Sequence, residues 1–102
     1  MIGAIIGDVV GSRFERNNAE NRDFELFTSL SGFTDDTVLT VAIADALMHR
    51  KPHPYVFKLK EYCVKYPFVG YGRSFSTWAH SIKPEGPYNS WGNGAAMRVS
   101  PV

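Results

Sequence analysis

With 102 residues, 44% of them hydrophobic and 14% aromatic, the chain carries enough apolar material for the core of one domain and is no disordered tail. The formal net charge is +1, and the eleven basic residues are scattered, with Arg50-Lys51 the only adjacent pair, which argues against a nucleic-acid surface. One cysteine, Cys63, excludes an internal disulfide and a multi-cysteine metal site and fits a reducing, cytoplasmic setting; no run is long enough to span a bilayer.

Met1 to Phe14 reads as a helix, because Ile2, Ile5, Ile6, Val9 and Val10 recur at helical spacing. Gly3, Gly7 and Gly11 fall on one face of it. Each costs about 1 kcal/mol relative to alanine in a helix, so the face predicts close approach of another helix or of a ligand, with tight helix packing the expected use. Asp8 interrupts the apolar run and needs a partner if buried. A carboxylate beside a second acidic group is also a general acid/base arrangement. Residues 16–23 read as a polar loop, and 24–33 show no clear period.

The second helix is expected over Thr37 to Arg50. Val38, Val41, Ala42, Ala46 and Leu47 form its stripe, and Leu39, Ile43 and Met48 widen that stripe almost all round. His49-Arg50-Lys51 complements the dipole at its end, and Pro52 and Pro54 stop it. A third helix is expected from Pro54 to Tyr66, with Val56, Leu59, Cys63 and Tyr66 inward and Lys58, Lys60, Glu61 and Lys65 in water. A short fourth is expected over Ser74 to Ile82, followed by a turn from Pro84 to Tyr88. Period-two alternation is absent, so the chain reads as all-α. The Gly92-Asn93-Gly94 turn runs into Ala95-Ala96-Met97-Arg98, a loop that opens a helix and whose backbone N–H groups can cradle a phosphate.

Thr34-Asp35-Asp36-Thr37 admits two compatible readings. One is a helix N-terminus, with Thr34 or Asp35 as the cap and acidic residues favoured by the dipole. The other is a set of hard oxygens from Thr34, Asp35 and Asp36 for a cation such as Mg²⁺. His49, His53 and His80 show no ligand spacing, and Ser76 and Ser90 have no nucleophile-elbow context.

Taken in order, Gly3-Ala4-Ile5-Ile6-Gly7-Asp8-Val9-Val10-Gly11-Ser12 with Glu15, Phe33-Thr34-Asp35-Asp36-Thr37, Gly70-Tyr71-Gly72-Arg73-Ser74-Phe75 with Trp78, and Ser90 to Arg98 resemble the ADP-ribosylglycohydrolase family. The resemblance implies an all-α orthogonal multi-helix domain and hydrolysis of the N- or O-glycosidic bond that joins ADP-ribose to a protein side chain or small molecule. It implies a centre of two Mg²⁺ or Mn²⁺ ions. Thr34, Asp35 and Asp36 match the first metal-ligand cluster, and Glu15 and Asp36 match catalytic carboxylates. Gly92, Asn93, Gly94, Ala95 and Met97 match the ADP-ribose pocket. A second acidic cluster of Asp-x-Asp-Thr type is part of the family pattern and does not follow Arg98. Residues 1–102 therefore resemble the N-terminal part of such a domain, with self-association or a complementing C-terminal part expected to complete it. A non-catalytic ADP-ribose or nucleotide-binding module and an inactive fragment are the alternative readings. Neither nucleic acid nor membrane is an expected partner.

Overall fold

The computed structural model describes residues 1–49, 54–83 and 86–102. Among these, five helices and no strand are found: α1 (Ile2–Gly11), α2 (Asp35–Met48), α3 (Pro54–Lys65), α4 (Arg73–His80) and α5 (Gly94–Met97), with a 3-10 turn, Ser12–Phe14, continuing α1. The all-α expectation holds. Arg50, Lys51, Pro52 and His53, read as the end of the second helix, and Pro84, read as a turn, lie outside the described residues.

Helix α2 is apolar on most sides and accordingly takes the centre, packing on α3, α1 and α5. Val38, Leu39, Thr40, Ala42, Ile43 and Ala46 are buried along it. Its last turn is covered on one side only, so Leu47 and Met48 lie exposed despite extending the apolar stripe. Leu39 joins Cys63, Phe75, Trp78 and Ala79 in the core, with Leu59, Tyr71 and Met97 packed against them. Tyr71, Phe75, Trp78 and Tyr88 form a row of rings with successive centroids 5.4, 5.6 and 6.1 Å apart. Burial pushes the Cys63 thiol and the Tyr71 phenol up, so neither ionises readily.

Lys58 does not point to water as its position on the polar side of α3 suggested. Its Nζ lies 2.8 Å from Asp45 and 3.0 Å from Glu61, and its side chain is 13% exposed. Asp45 also accepts from Tyr62 Oη at 3.2 Å and pairs with His49 Nδ1 at 2.9 Å. These partners draw the lysine stem across the α2–α3 seam and hold Asp45 below its ordinary value, chiefly through Lys58. Lys60 is also turned inward, donating to the Ser81 carbonyl at 2.7 Å with Nζ 5.2 Å from the Trp78 ring centre.

The largest departure concerns α1. Among the described residues, none has an atom within 4 Å of where a Cβ would stand on Gly3, Gly7 or Gly11, so no described helix packs on the glycine face. Helix α1 has no buried residue, and Ile2 and Ile6 are exposed. Ile5, Val9 and Val10 are partly covered, and the side-chain hydrogen bonds from α1 to the head of α2 all run through Asp8. Ser12 and Arg13 then secure the loop that follows. Ser12 Oγ accepts from the Gly32 N–H at 3.1 Å. The Arg13 guanidinium lies 4.6 Å from the Phe14 ring centre and 5.6 Å from that of Phe24, and donates to the Glu25 carbonyl.

Candidate functional site

The first turn of a helix leaves backbone N–H groups without intrahelical partners. At the start of α2 each of these finds one. Asp35 N–H donates to the Val69 carbonyl at 2.9 Å. Asp36 N–H donates to Thr34 Oγ1 at 3.3 Å, which makes Thr34 the N-cap. Thr37 N–H donates to Asp8 Oδ2 at 3.2 Å.

Asp8 collects more than that. Thr34 donates its N–H to Oδ2 at 2.8 Å and its hydroxyl to Oδ1 at 2.6 Å, and the Thr37 hydroxyl donates to Oδ2 at 2.5 Å. The partner Asp8 was expected to need is therefore the mouth of α2, and the general acid/base reading gives way to a clasp between α1 and α2. Thr34 and Asp8 together perform the capping. The carboxylates of Asp35 and Asp36 are left free of that task, and among the described residues neither makes an ion pair.

Both are half-buried. Burial, then the neighbouring Asp36, and at longer range Glu15 and Asp8, push the Asp35 carboxyl up to about 6. Burial and Asp8 raise Asp36 as well, with Arg98 acting in the opposite direction. Accumulated negative charge of this kind is what a bound cation would relieve.

The two carboxylates serve different clefts, because successive residues of a helix diverge by about 100°. Asp36 lines a cleft of about 350 Å³ with Glu15, Asp8, Gly7, Gly11 and Met97. Asp35 lines one of about 340 Å³ with Gly72, Asn93, Gly94, Met97 and Arg98. Met97 is common to both and stands between them, seated on α2 by Thr40 Oγ1, which donates to its carbonyl at 3.4 Å. Gly70 closes in behind Asp35: its φ is +96°, and a Cβ there would stand 3.8 Å from Asp35 Oδ1.

The sequence-predicted residues thus fall into two groups. Glu15 meets Asp36 in the first cleft, and Gly92, Asn93, Gly94 and Met97 meet Asp35 in the second. Ala95 lines a third, apolar hollow of about 630 Å³, which Gly92 and Gly94 also border. Thr34 Oγ1, donating to Asp8 and accepting from Asp36, retains one lone pair for a further ligand. These oxygens have the chemistry of a hard-cation site, but among the described residues no three Asp, Glu, His or Cys side chains converge on one point. The donor set fits Mg²⁺ or Mn²⁺ in kind and is short in number.

Sequence reasoning missed three contributors. Thr37 was read as the first residue of the second helix, yet it also donates twice to Asp8. Arg98 was read as the end of a motif, yet it lines the second cleft as a half-buried cation whose charge favours the ionised form of Asp36. Gly70 entered only as the first residue of a motif, yet its backbone takes a left-handed φ beside Asp35. A lone arginine four positions after a glycine carries no local signal of its place.

No helix among the described residues is long and apolar enough to cross a membrane. The sequence model of the ADP-ribosylglycohydrolase family matches residues 1–102, the whole chain. No curated protein and no solved structure matches it.

Proposed function

We propose that this chain, which belongs to the ADP-ribosylglycohydrolase family, contributes the first ligand cluster and the loop wall of a centre that hydrolyses the glycosidic bond of ADP-ribosylated proteins or ADP-ribose-containing small molecules. The observation that carries this reading is the pairing of Glu15 with Asp36 across one cleft while Asp35 faces the Gly92–Gly94 loop across the next.

In this reading Thr34, Asp35 and Asp36 hold Mg²⁺ or Mn²⁺, two ions in the complete enzyme. Bound cations of this type neutralise paired carboxylates and polarise hydroxyl and water oxygens. Glu15, exposed at the edge of its cleft, is free to accept a proton at its carboxylate, and Asp36 opposes it. Backbone N–H groups at Gly92, Asn93 and Gly94 offer donors to phosphate oxygens, and Ala95 and Met97 supply apolar wall. The remaining acidic ligands come from outside residues 1–102, through a complementing C-terminal part or self-association, and the exposed Ile2 and Ile6 of α1 support such a partner. Residues 1–102 are then the N-terminal portion of a single domain. The lone buried thiol fits a cytoplasmic setting.

The test is calorimetry with ADP-ribose in millimolar Mg²⁺, followed by incubation with an ADP-ribosylated peptide, with and without a complementing half that carries an Asp-x-Asp-Thr cluster. Cation-dependent binding by the chain, with turnover only on complementation, is expected. Binding that never leads to turnover would favour the non-catalytic binding module, and absence of binding would remove both.

A further inference from the structure

The short helix α5 ends in an unusual exchange of hydrogen bonds. In a continuing helix the backbone N–H of residue 98 would satisfy the carbonyl of residue 94. Here the Arg98 backbone N–H turns to the Ala96 carbonyl, and the Gly94 carbonyl accepts from Nε of the Arg98 side chain instead. The guanidinium therefore folds back over the start of its own helix. It lies over the Phe75 ring, whose centre is 5.4 Å from Cζ; burial lowers its basicity, Asp35 and Asp36 oppose that, and its charge in turn favours the ionised form of Asp36. It borders both the cleft of Asp35 and the apolar hollow behind it.

This placement explains the residue at 94. A Cβ there would collide with the Arg98 Nη2, while Cζ at 3.4 Å and Nε at 3.9 Å would stand at ordinary contact distance. The obstacle is the end of a flexible side chain, so a methyl group at 94 would expel the guanidinium and leave the backbone path open. Gly94 and Arg98 are in effect one unit: the missing side chain of the first is the seat of the second.

We infer that Arg98 is a positioning residue, whose guanidinium fixes the Gly92-Asn93-Gly94 turn through the Gly94 carbonyl and holds that turn beside Asp35 in the cleft they share. The binding consequence rests on the function proposed above; the positioning itself does not. An arginine is suited to the task because a planar fork can bond a carbonyl edge-on while stacking face-on upon a ring, which the ammonium of lysine cannot do.

The experiment is a double-mutant cycle of Arg98→Ala and Gly94→Ala in the full chain, with Arg98→Lys as the charge-preserving control. Amide chemical shifts of residues 92–94 and the exchange rate of the Arg98 Nε–H are read without ligand, and the ADP-ribose dissociation constant is read in Mg²⁺. The expected result is a slowly exchanging Nε–H in the parent and the same displacement of the three amides in Arg98→Ala and Gly94→Ala. The double variant should be no worse than Arg98→Ala alone, and Arg98→Lys should fail to restore the shifts. ADP-ribose affinity should fall about tenfold in each single variant, the worth of one charge-assisted hydrogen bond. Unmoved amides in a folded Arg98→Ala or Arg98→Lys protein, or fully additive effects of the two substitutions, would overturn the inference. Coupled shifts in a chain that binds no ADP-ribose would uphold the positioning role and sink the proposed function instead. If Arg98→Ala does not fold, Gly94→Ala and Arg98→Lys decide the matter on the same amides.

Discussion

Asp8 on α1 and Thr34 at the head of α2 are joined by two hydrogen bonds, Thr34 N–H to Oδ2 at 2.8 Å and Thr34 Oγ1 to Oδ1 at 2.6 Å, so that one carboxylate from the first helix caps the second. With Thr37 adding two more, Asp8 accepts four bonds and fixes how the glycine-faced helix approaches the aspartate pair. Asp8→Ala removes both acceptor oxygens and all four bonds, and leaves part-buried donors behind. The expected loss is about 2–4 kcal/mol, given that bonds to charged groups contribute roughly 1.5–3 kcal/mol each and share cost within one cluster. Urea denaturation measures it. Asp8→Asn, which keeps one acceptor oxygen, should lose less.

The Asp35 carboxyl, raised to about 6 from an ordinary value of 3.8, sets a pH dependence of defined sign. A folded chain whose acid is harder to ionise binds more protons than the unfolded one between those values, so stability falls as pH rises from about 4 to about 6 and then levels. Because the group is only half-buried, solvent screening reduces the effect to about 1–2 kcal/mol. Asp35→Asn should flatten this limb and raise the melting temperature at pH 7 in chelator. A pH-independent parent between 4 and 7 would contradict the account.

Divalent cations should reverse that penalty. Millimolar Mn²⁺ or Mg²⁺ is expected to raise the melting temperature at pH 7, and EDTA to cancel the rise, since any ligand of the folded state alone stabilises it by mass action. Asp35→Asn and Asp36→Asn should each abolish most of the response. Calorimetric titration of Mn²⁺ into the chain gives the affinity directly, and an unchanged midpoint at saturating cation would rule out the half-site.

Asp45 has the opposite pH sign. Lys58 first, then Tyr62 and His49, hold it below its ordinary value, so its contribution is present above the unfolded carboxylate range and is lost on further acidification. Asp45→Asn should lower the melting temperature at neutral pH, and its difference from the parent should shrink as the pH falls below the ordinary carboxylate range, as followed by helical circular dichroism.

Gly70→Ala should destabilise by about 1–2 kcal/mol, the cost of placing a side chain at a left-handed φ. The added methyl would stand at ordinary contact distance from Asp35 Oδ1, so the loss is conformational rather than a clash. A change in the cation response alongside it would show that the turn also sets the position of Asp35.

Helix α2 and its burial were legible because an apolar run bounded by Thr-Asp-Asp at one end and prolines at the other has a single physical solution. Thr34 as its cap was one of the two candidates the sequence offered, but the part Asp8 plays in completing that cap was not legible, because Asp8 lies 26 positions upstream of Thr34. The family resemblance named Glu15, Asp36 and Asn93 but could not say which cleft each would face. That depends on the turn between Asp35 and Asp36 and on Met97 standing between the two clefts. Lys58 was misread for the same kind of reason: its partners Asp45 and Glu61 include one from another helix.

The open face of α1 implies a specific compromise. Gly7 and Gly11 meet nothing a methyl group would touch, so Gly7→Ala or Gly11→Ala should strengthen the helix by about 1 kcal/mol each at no steric cost. The same methyl groups would protrude into the space between Glu15 and Asp36. A ready gain in helix stability is therefore one that narrows the cleft holding Asp8, Glu15 and Asp36, and selection for heat resistance alone would be expected to fill it.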